Sequence, residues 1–282
     1  MIFSTKNYSD YNCYDLIKIN NQVISCCGEG ADEKSIKFLG LELDDKLTWK
    51  YHIQSVKRKL AKSLFALNQI KKSMPFSAMR TLYFSMINCH LTYGIIAWGN
   101  SPGISKLLTL QKQALRFINK ASYRAHTDPL FKRNGILKLT DIYKLQAAVF
   151  IYDYKHSKLP LSFENFYCSG NVRSTRQSNN IPLPTPRTNF SGGSFYYNVP
   201  KIWNSLDITT KLISNKNCFI RTIKNNYKSH YAEQVSCNNP NCIDCNRNWE
   251  WCKYIPYPGL SHWSFIPTHI MIILSTLCRW PV

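Results

Sequence analysis

The feature that most constrains the fold is an amphipathic pattern across residues 53–70. Apolar side chains recur there at spacings of three and four: Ile53, Val56, Leu60, Leu64, Leu67 and Ile70. On an α-helix these positions form one continuous apolar face, whereas on a strand they would fall on both faces. The spacing therefore predicts a long helix that packs this face against a core.

The same periodicity predicts further helices along the chain. They are expected at residues 79–98, 104–118, 129–134, 139–156, 194–206 and 211–231. Pro75 and the stretch 99–103, which contains two glycines and a proline, mark breaks between them. Residues 158–193 are rich in Ser, Asn and Pro, a composition that predicts an extended linker.

Residues 1–48 have a different pattern, with short apolar runs separated by turn signals. We expect strands at residues 1–4, 16–20 and 35–43, followed by a tight turn at Asp44 and Asp45. Ile36, Phe38 and Leu41 or Leu43 are candidates for burial in the third strand. The predicted fold class is α+β and mostly α, with a small N-terminal β module, a helical bundle and a partly irregular C-terminal region.

The charge balance indicates a polyanionic partner. The chain carries 36 Lys and Arg against 16 Asp and Glu, a net charge of +20. Such an excess repels itself unless an anion is near, so RNA and DNA are the leading partner class. An anionic membrane surface and a simple solubility effect are the alternatives at this point.

The positive charge is concentrated in residues 46–127, which contain 14 basic residues and no acidic one. Solvated helices usually mix the two signs, because ion pairs at i,i+4 help to stabilise them. A surface that follows phosphates explains the pattern better. The candidate nucleic-acid-binding residues are Lys57, Arg58, Lys59, Lys62, Lys71, Lys72, Arg80, Lys112, Arg116, Lys120 and Arg124.

Several functional classes lack their sequence signals. No secretory signal opens the chain and the cysteines are scattered, so we expect an intracellular protein, nuclear or cytoplasmic, with reduced thiols. No run approaches the ~20 apolar residues of a membrane span. Phosphate-binding loops, dinucleotide fingerprints and nucleophile elbows are also missing, so no small-molecule substrate is evident.

One cysteine cluster has a metal-like spacing. It consists of Cys237, Cys242, Cys245 and Cys252. Four thiolates can complete a tetrahedral Zn²⁺ site, although only the Cys-x2-Cys half is regular. The alternative, which we favour, is that residues 232–282 form a disordered tail that binds no metal.

Aromatic and histidine residues in the helical region have two interpretations. The aromatic side chains that could stack on bases are Trp49, Tyr51, Tyr83, Tyr93 and Trp98. We expect most of them in the core. His52 and His90 have no evident carboxylate or thiol partner in the sequence, so we expect buried or interfacial histidines rather than catalytic ones.

A series of short motifs occurs in a fixed order along residues 1–231. They are Met1-Ile-Phe-Ser, Phe38-Leu39-Gly40 with Leu47 and Trp49, Leu82-Tyr83, Tyr93-Gly94 with Trp98, Leu110-Gln111 with Arg116 and Ile118, and Ile202-Trp203-Asn204-Ser205-Leu206. In this order and spacing they resemble the C-terminal part of the reverse transcriptases of non-LTR retrotransposons, of the LINE type and Jockey-like.

The resemblance implies an organisation for the chain. Residues 1–48 would be a palm edge with a primer-grip-like element at Phe38, Leu39 and Gly40, and residues 49–157 a thumb-like helical domain. Residues 158–193 would be the linker, 194–231 a C-terminal helical segment and 232–282 the tail. The partner would be template–primer RNA and DNA, and the full enzyme of the family uses Mg²⁺.

Departures from the family concern the catalytic carboxylates. Polymerases of this kind hold two Mg²⁺ ions with paired Asp residues. Asp44 and Asp45 do not match the family's aromatic-x-Asp-Asp turn, because Glu42 stands where the aromatic residue is required. We interpret both as turn residues, assign no catalytic residue and expect no cofactor requirement. The chain should bind template–primer without polymerising.

Two other interpretations remain at the level of the sequence. The chain could be a non-enzymatic basic RNA- or DNA-binding protein, with or without a zinc-binding cysteine cluster. It could also be a polypeptide that retains no function and folds only in part.

Overall fold

Helices dominate the computed structural model, which describes residues 18–19, 22–23, 35–44, 46–160, 163, 166–167, 179–183, 185 and 194–231. The helices are α1 (Lys50–Ile70), α2 (Phe76–Tyr83), α3 (Cys89–Thr92), α4 (Ile95–Trp98), α5 (Ile104–Ile118), α6 (Asp128–Asn134), α7 (Leu139–Lys155), α8 (Phe195–Asn204), α9 (Ile208–Lys211) and α10 (Lys216–Ser229). The strands are β1 (Lys18–Ile19), β2 (Gln22–Val23), β3 (Ile36–Phe38) and β4 (Leu41–Leu43). The strands form two-stranded antiparallel pairs, so the predicted fold class, α+β and mostly α, is confirmed.

Strands β3 and β4 form a hairpin in which Ile36 is paired with Leu43 and Phe38 with Leu41. The prediction of one strand across residues 35–43 is therefore wrong. Its chain reverses at Leu39 and Gly40, whose φ angles are 45° and 82°. Two positive φ angles in a two-residue loop are typical of the hairpin turns that match strand twist, and glycine adopts such angles without strain.

The hairpin presents apolar side chains to solvent. Ile36 is 38% and Phe38 59% exposed, so the expected burial of both is wrong. The turn is held by a residue from the helical part of the chain: the Tyr93 hydroxyl donates a hydrogen bond to the Leu39 carbonyl oxygen at 2.5 Å. Gly94 lies against Leu41, and a Cβ atom at this glycine would come within 3.0 Å of Leu41 Cδ2.

Asp44 secures the loop that leads into α1. Its carboxylate accepts hydrogen bonds from the Thr48 amide at 2.9 Å, the Thr48 hydroxyl at 2.7 Å and the Trp49 amide at 3.0 Å. This carboxylate is buried and fully engaged by its own loop. Asp44 thus has the structural role expected of a turn residue, whereas Asp45 lies outside the described residues.

Helices α1, α5 and α7 supply much of the core. The predicted apolar face of α1 is confirmed, with Ile53, Val56, Leu60, Leu64 and Leu67 buried. Helices α1 and α5 run parallel, because they approach each other at both ends. A Cβ at Gly103, before α5, would lie 2.8 Å from Ile53 Cδ1. At the other end the Lys120 amine donates to the Lys72 carbonyl oxygen at 3.5 Å.

The predicted helix at residues 79–98 is interrupted twice. A π-helical turn at Phe84–Asn88 separates α2 from α3, and the chain breaks again between α3 and α4. Gly94 causes the second break, because its φ of 59° does not belong to a right-handed helix. The prediction of one continuous helix is therefore wrong, although its buried residues, such as Met79 and Leu91, are in the core.

Parts of the predicted linker pack on the helices. The rings of Phe163 and Phe166 lie 5.5 Å and 6.4 Å from that of Phe150 on α7. Tyr167 and Ile181 are each only 6% exposed. The described parts of residues 158–193 therefore belong to the packed structure, because aromatic side chains among the polar residues find an apolar surface. All the described residues lie within one compact unit, Met1–Ser236.

A fully buried glutamine joins α5 to the start of α7. The Gln111 amide nitrogen donates to the Tyr83 hydroxyl and to the Leu137 carbonyl oxygen, both at 2.9 Å. Its amide oxygen accepts from the Leu139 backbone N–H at 2.9 Å. Gln111 thereby satisfies backbone groups that would otherwise be buried without partners.

Within the described part of the chain, every helix is too short or too polar to cross a membrane.

Candidate nucleic-acid interface

The outward face of α1 is strongly basic. Arg58 and Lys62 are exposed on the side of the helix opposite its buried apolar residues, and Lys57 and Lys59 are exposed on the two flanks between that side and the core. The separation of cationic and apolar faces follows directly from the helical period of the sequence. We call Lys57, Arg58 and Lys62 the α1 basic face.

The cations of this face have no acidic partner among the described residues. The ion pairs between described residues join Lys138 to Asp128, Lys144 to Asp141, and Lys216 to Asp153. All of these residues follow position 127. The α1 basic face therefore keeps its charge uncompensated by the described part of the protein. Such a surface attracts anions and is screened by salt.

Four other candidate residues lie where α1 and α5 end. The Lys71 amine sits 4.8 Å from the Phe117 ring centroid, Lys120 donates to the Lys72 carbonyl, and the Arg116 Nε donates to the Ala125 carbonyl at 3.0 Å. Cations are favourable at helix C-termini, where the carbonyl groups concentrate negative potential. The structure thus gives Lys71, Arg116 and Lys120 contacts that stabilise the fold, which weakens their assignment as phosphate ligands.

Arg80 on α2 belongs to a different group. Its guanidinium lies 5.0 Å from the Phe84 ring centroid. Burial lowers the pKa of Lys228 on α10, and the nearby charges of Lys224 and Arg80 lower it further. Lys224 and Lys228 were missed as neighbours of Arg80, because they are distant from it in the sequence. Of the remaining candidates, Lys112 is half-buried on α5 and Arg124 is exposed in the loop that follows.

A groove of about 1190 Å³ lies at the N-terminal ends of α1 and α5. Its lining includes four lysines, Lys46, Lys50, Lys57 and Lys106, and apolar side chains such as Trp49 and Phe195. Helix N-termini carry a partial positive charge that adds to the lysines. Lys57 belongs to both the groove and the α1 basic face, so the two cationic surfaces are continuous.

The aromatic residues separate into buried and exposed groups. Tyr83 and Trp98 are fully buried, which confirms the expected core role for these two. Burial raises the pKa of Tyr83 to about 12. Tyr93 is 56% exposed, but its hydroxyl is used to hold the hairpin turn. Phe65 was missed by the sequence interpretation, although it is 67% exposed on α1.

The histidines of this region are structural. His52 is buried next to Trp98, with 5.4 Å between ring centroids. Burial lowers its pKa, Lys59 lowers it further and Glu42 opposes the shift. His90 is half-buried, and burial and Lys59 lower its pKa in the same way. Both histidines are therefore predominantly neutral near pH 7.

The remaining sequence predictions concern metal and primer-grip residues. In the described ranges, no three His, Cys, Asp or Glu residues come together as a metal-binding group. The cysteines proposed for zinc, Cys237, Cys242, Cys245 and Cys252, lie outside those ranges. Phe38 ends strand β3, Leu39 and Gly40 form the hairpin turn, and Leu39 is 76% exposed. This turn offers a contact surface and no acid–base group.

Comparison of the chain with family models, with curated proteins and with solved structures finds no match.

Proposed function

We propose that this chain binds RNA or DNA without sequence preference, with the α1 basic face as its main phosphate-binding surface. The observation that carries the proposal is the exposure of Lys57, Arg58 and Lys62 with no carboxylate partner among the described residues. Lysine and arginine contacts to phosphates fix a protein on the backbone and carry no base information. Binding should therefore be tolerant of sequence.

We further propose that the chain is the palm-edge and thumb-like part of a LINE-type reverse transcriptase and binds template–primer. Support comes from the order of the family-like motifs and from the contact between two of them, the Leu39 turn and Tyr93. Asp44 is bonded to Thr48 and Trp49, which supports a structural role for it rather than metal binding. A non-enzymatic nucleic-acid-binding protein would use the same basic face.

The test is a charge-reversal variant of the full chain, with Lys57→Glu, Arg58→Glu and Lys62→Glu combined. The matched control carries Lys158→Glu, Lys201→Glu and Arg221→Glu, three side chains that are also exposed and lie outside residues 46–127. Both variants lose the same net charge, so only the position of the charge differs. Affinity would be measured by fluorescence anisotropy across a salt series with single-stranded and duplex oligonucleotides of unrelated sequence.

We expect the α1 variant to bind all sequences at least about tenfold more weakly at low salt. Each lost phosphate contact lowers the salt slope by about 0.7 on single strands and 0.9 on duplex DNA, so three contacts lower it by about 2 to 3. The control should keep most of the affinity and slope. A flat salt response in the unmodified chain, or equal losses in both variants, would contradict a localised site.

A further inference from the structure

Phe65 breaks the apolar pattern of α1. It lies on the outward side of the helix, away from Leu64 and Leu67, which are buried. Its side chain is 67% exposed. Single exposed apolar residues are common on protein surfaces, so exposure alone assigns no role to this ring. What distinguishes Phe65 is its set of neighbours.

Cations lie on the same side of α1 as Phe65. Lys62 precedes it by three residues and Arg58 by seven. Positions separated by three or seven residues share one side of a helix. With a rise of about 1.5 Å per residue, Arg58 lies about 10 Å from Phe65 along the axis. The ring therefore has positive charge beside it on α1, and Lys71 and Lys72 follow in the chain where the helix ends at Ile70.

The ring of Phe65 is also unoccupied by the described protein. Within those residues, no aromatic ring pairs with it and no cation lies over its face, in contrast to Phe84 and Phe117. Both faces of an aromatic ring can accept a nucleic-acid base, and stacking contributes about 1–3 kcal/mol per base. An exposed ring beside cations is the arrangement that single-strand-binding proteins use, with phosphates on the cations and bases on the ring.

We propose that Phe65 stacks on unpaired bases and that the α1 surface therefore prefers single-stranded over duplex nucleic acid. This inference rests on the proposed function. It gives the bases a contact, the Phe65 ring, on a strand whose phosphates contact the α1 basic face. In a duplex the bases are already stacked on each other, so a side chain on the outside of the backbone gains no stacking contact. Phosphate contacts alone do not discriminate in this way.

The experiment compares Phe65→Ala, Phe65→Leu and Phe65→Trp in the full chain. Leu212→Ala is the matched control, because Leu212 is 65% exposed and lies outside the basic region. Each variant is titrated by fluorescence anisotropy with oligo(dT) and with a duplex of equal length. A parallel measurement irradiates the unmodified chain bound to a 5-iodouridine oligonucleotide and maps the cross-linked residue by mass spectrometry.

We expect Phe65→Ala and Phe65→Leu to weaken oligo(dT) binding about 5- to 150-fold, the range that corresponds to one lost stacking contact. Duplex binding should change less than about twofold, Phe65→Trp should retain single-strand affinity, and the cross-link should map to Phe65. Thermal unfolding of these variants should match the parent, because the ring is largely outside the core.

Other outcomes separate this inference from the proposed function. If the Phe65 variants bind oligo(dT) normally while the α1 charge reversal still weakens duplex binding, stacking is overturned and the proposed function stands. Equal losses for single strand and duplex, or a cross-link at another residue, would also overturn stacking. If the charge reversal leaves duplex binding unchanged, the proposed function itself fails. If all variants bind oligonucleotides normally, the inference is overturned, and Phe65 would be assigned to a contact with another protein.

Discussion

Residues 46–127 and residues 128–231 use positive charge in different ways. In the second region, acidic side chains pair with three of the cations: Asp128 with Lys138, Asp141 with Lys144, and Asp153 with Lys216. In the first region there is no acidic residue at all. The exposed cations of the α1 basic face have no ion-pair partner among the described residues, so contacts within the described part of the chain do not explain them.

The contrast is clearest where charge is buried. Asp141 is 8% exposed and accepts a hydrogen bond from the Tyr231 hydroxyl at 2.5 Å, while that hydroxyl accepts from the Lys138 amide at 3.0 Å. A charge removed from water in this way is tolerated only with partners. The cations of α1 avoid the desolvation cost by remaining in solvent. Their mutual repulsion is the cost that remains, and a bound polyanion would relieve it.

The largest effect expected on stability is at the polar link between the two regions, Gln111. Gln111→Ala would leave the Leu139 amide without its bond and open a cavity beside Tyr83. Lost hydrogen bonds in the core and the cavity together should lower the free energy of unfolding by about 3 kcal/mol or more. Urea denaturation followed by circular dichroism measures it.

Gln113→Ala, two positions along the same helix and only half-buried, is the control and should change the free energy by less than about 0.5 kcal/mol. A small effect of Gln111→Ala would mean that the Leu139 amide finds another partner and that the hydrogen bonds of Gln111 contribute little. Two separate transitions in urea would mean that the two regions unfold independently. A single cooperative transition that shifts as a whole would show that they are one folding unit.

A second prediction compares one paired cation with one unpaired cation. The Lys216 amine lies 2.6 Å from the Asp153 carboxylate, whose side chain is only 15% exposed. Lys216→Met should lower the free energy of unfolding by about 1–2 kcal/mol, because it leaves a mostly buried carboxylate without its partner. Lys62→Met on α1 should stay within about 0.5 kcal/mol of the parent.

The same pair of variants should show the reverse order in nucleic-acid binding. Lys62→Met removes a phosphate contact, and Lys216→Met removes a cation already engaged by the protein. Equal effects of the two variants on stability, measured by urea denaturation, would remove the distinction between structural and functional cations on which the comparison rests.

The sequence predicted the helical elements better than the turns. The apolar period of 3.6 residues identified α1, α5 and α7. In a long helix many buried positions follow this period, so one atypical residue does not change the prediction. The hairpin turn at Leu39 and Gly40 has no such redundancy. Leu39 is an apolar residue with a positive φ, so the local sequence looked like a continuous strand. The packing of Tyr167 was missed because the Ser- and Asn-rich residues around it dominate the composition.

Prediction of the candidate interface had a similar limit. The exposure of Lys57, Arg58 and Lys62 follows from the helical period alone. The partners of Arg116 and Lys120 do not, because their carbonyl acceptors are placed by tertiary structure. Phe65 could have been identified from the sequence, since it is an apolar residue at a position that the helical pattern assigns to the polar side of α1.

The smallest expected effect is a pH dependence that belongs to the basic region. Burial lowers the folded-state pKa of His52 below its ordinary value of 6.5, and the charge of Lys59 lowers it further while Glu42 opposes it. The unfolded chain therefore binds more protons near pH 6 than the folded chain, so stability is full above pH 6.5 and falls as pH drops towards the folded-state pKa. His52→Gln should flatten this decline in urea denaturation between pH 7.5 and 5.5.

His90→Gln should flatten it as well, because burial and Lys59 lower the pKa of His90 too. If neither variant changes the slope, the pH dependence arises outside α1 and its neighbours. If Lys59→Met reduces the slope as well, the positive charge of α1 contributes to the lowered pKa of His52 and His90.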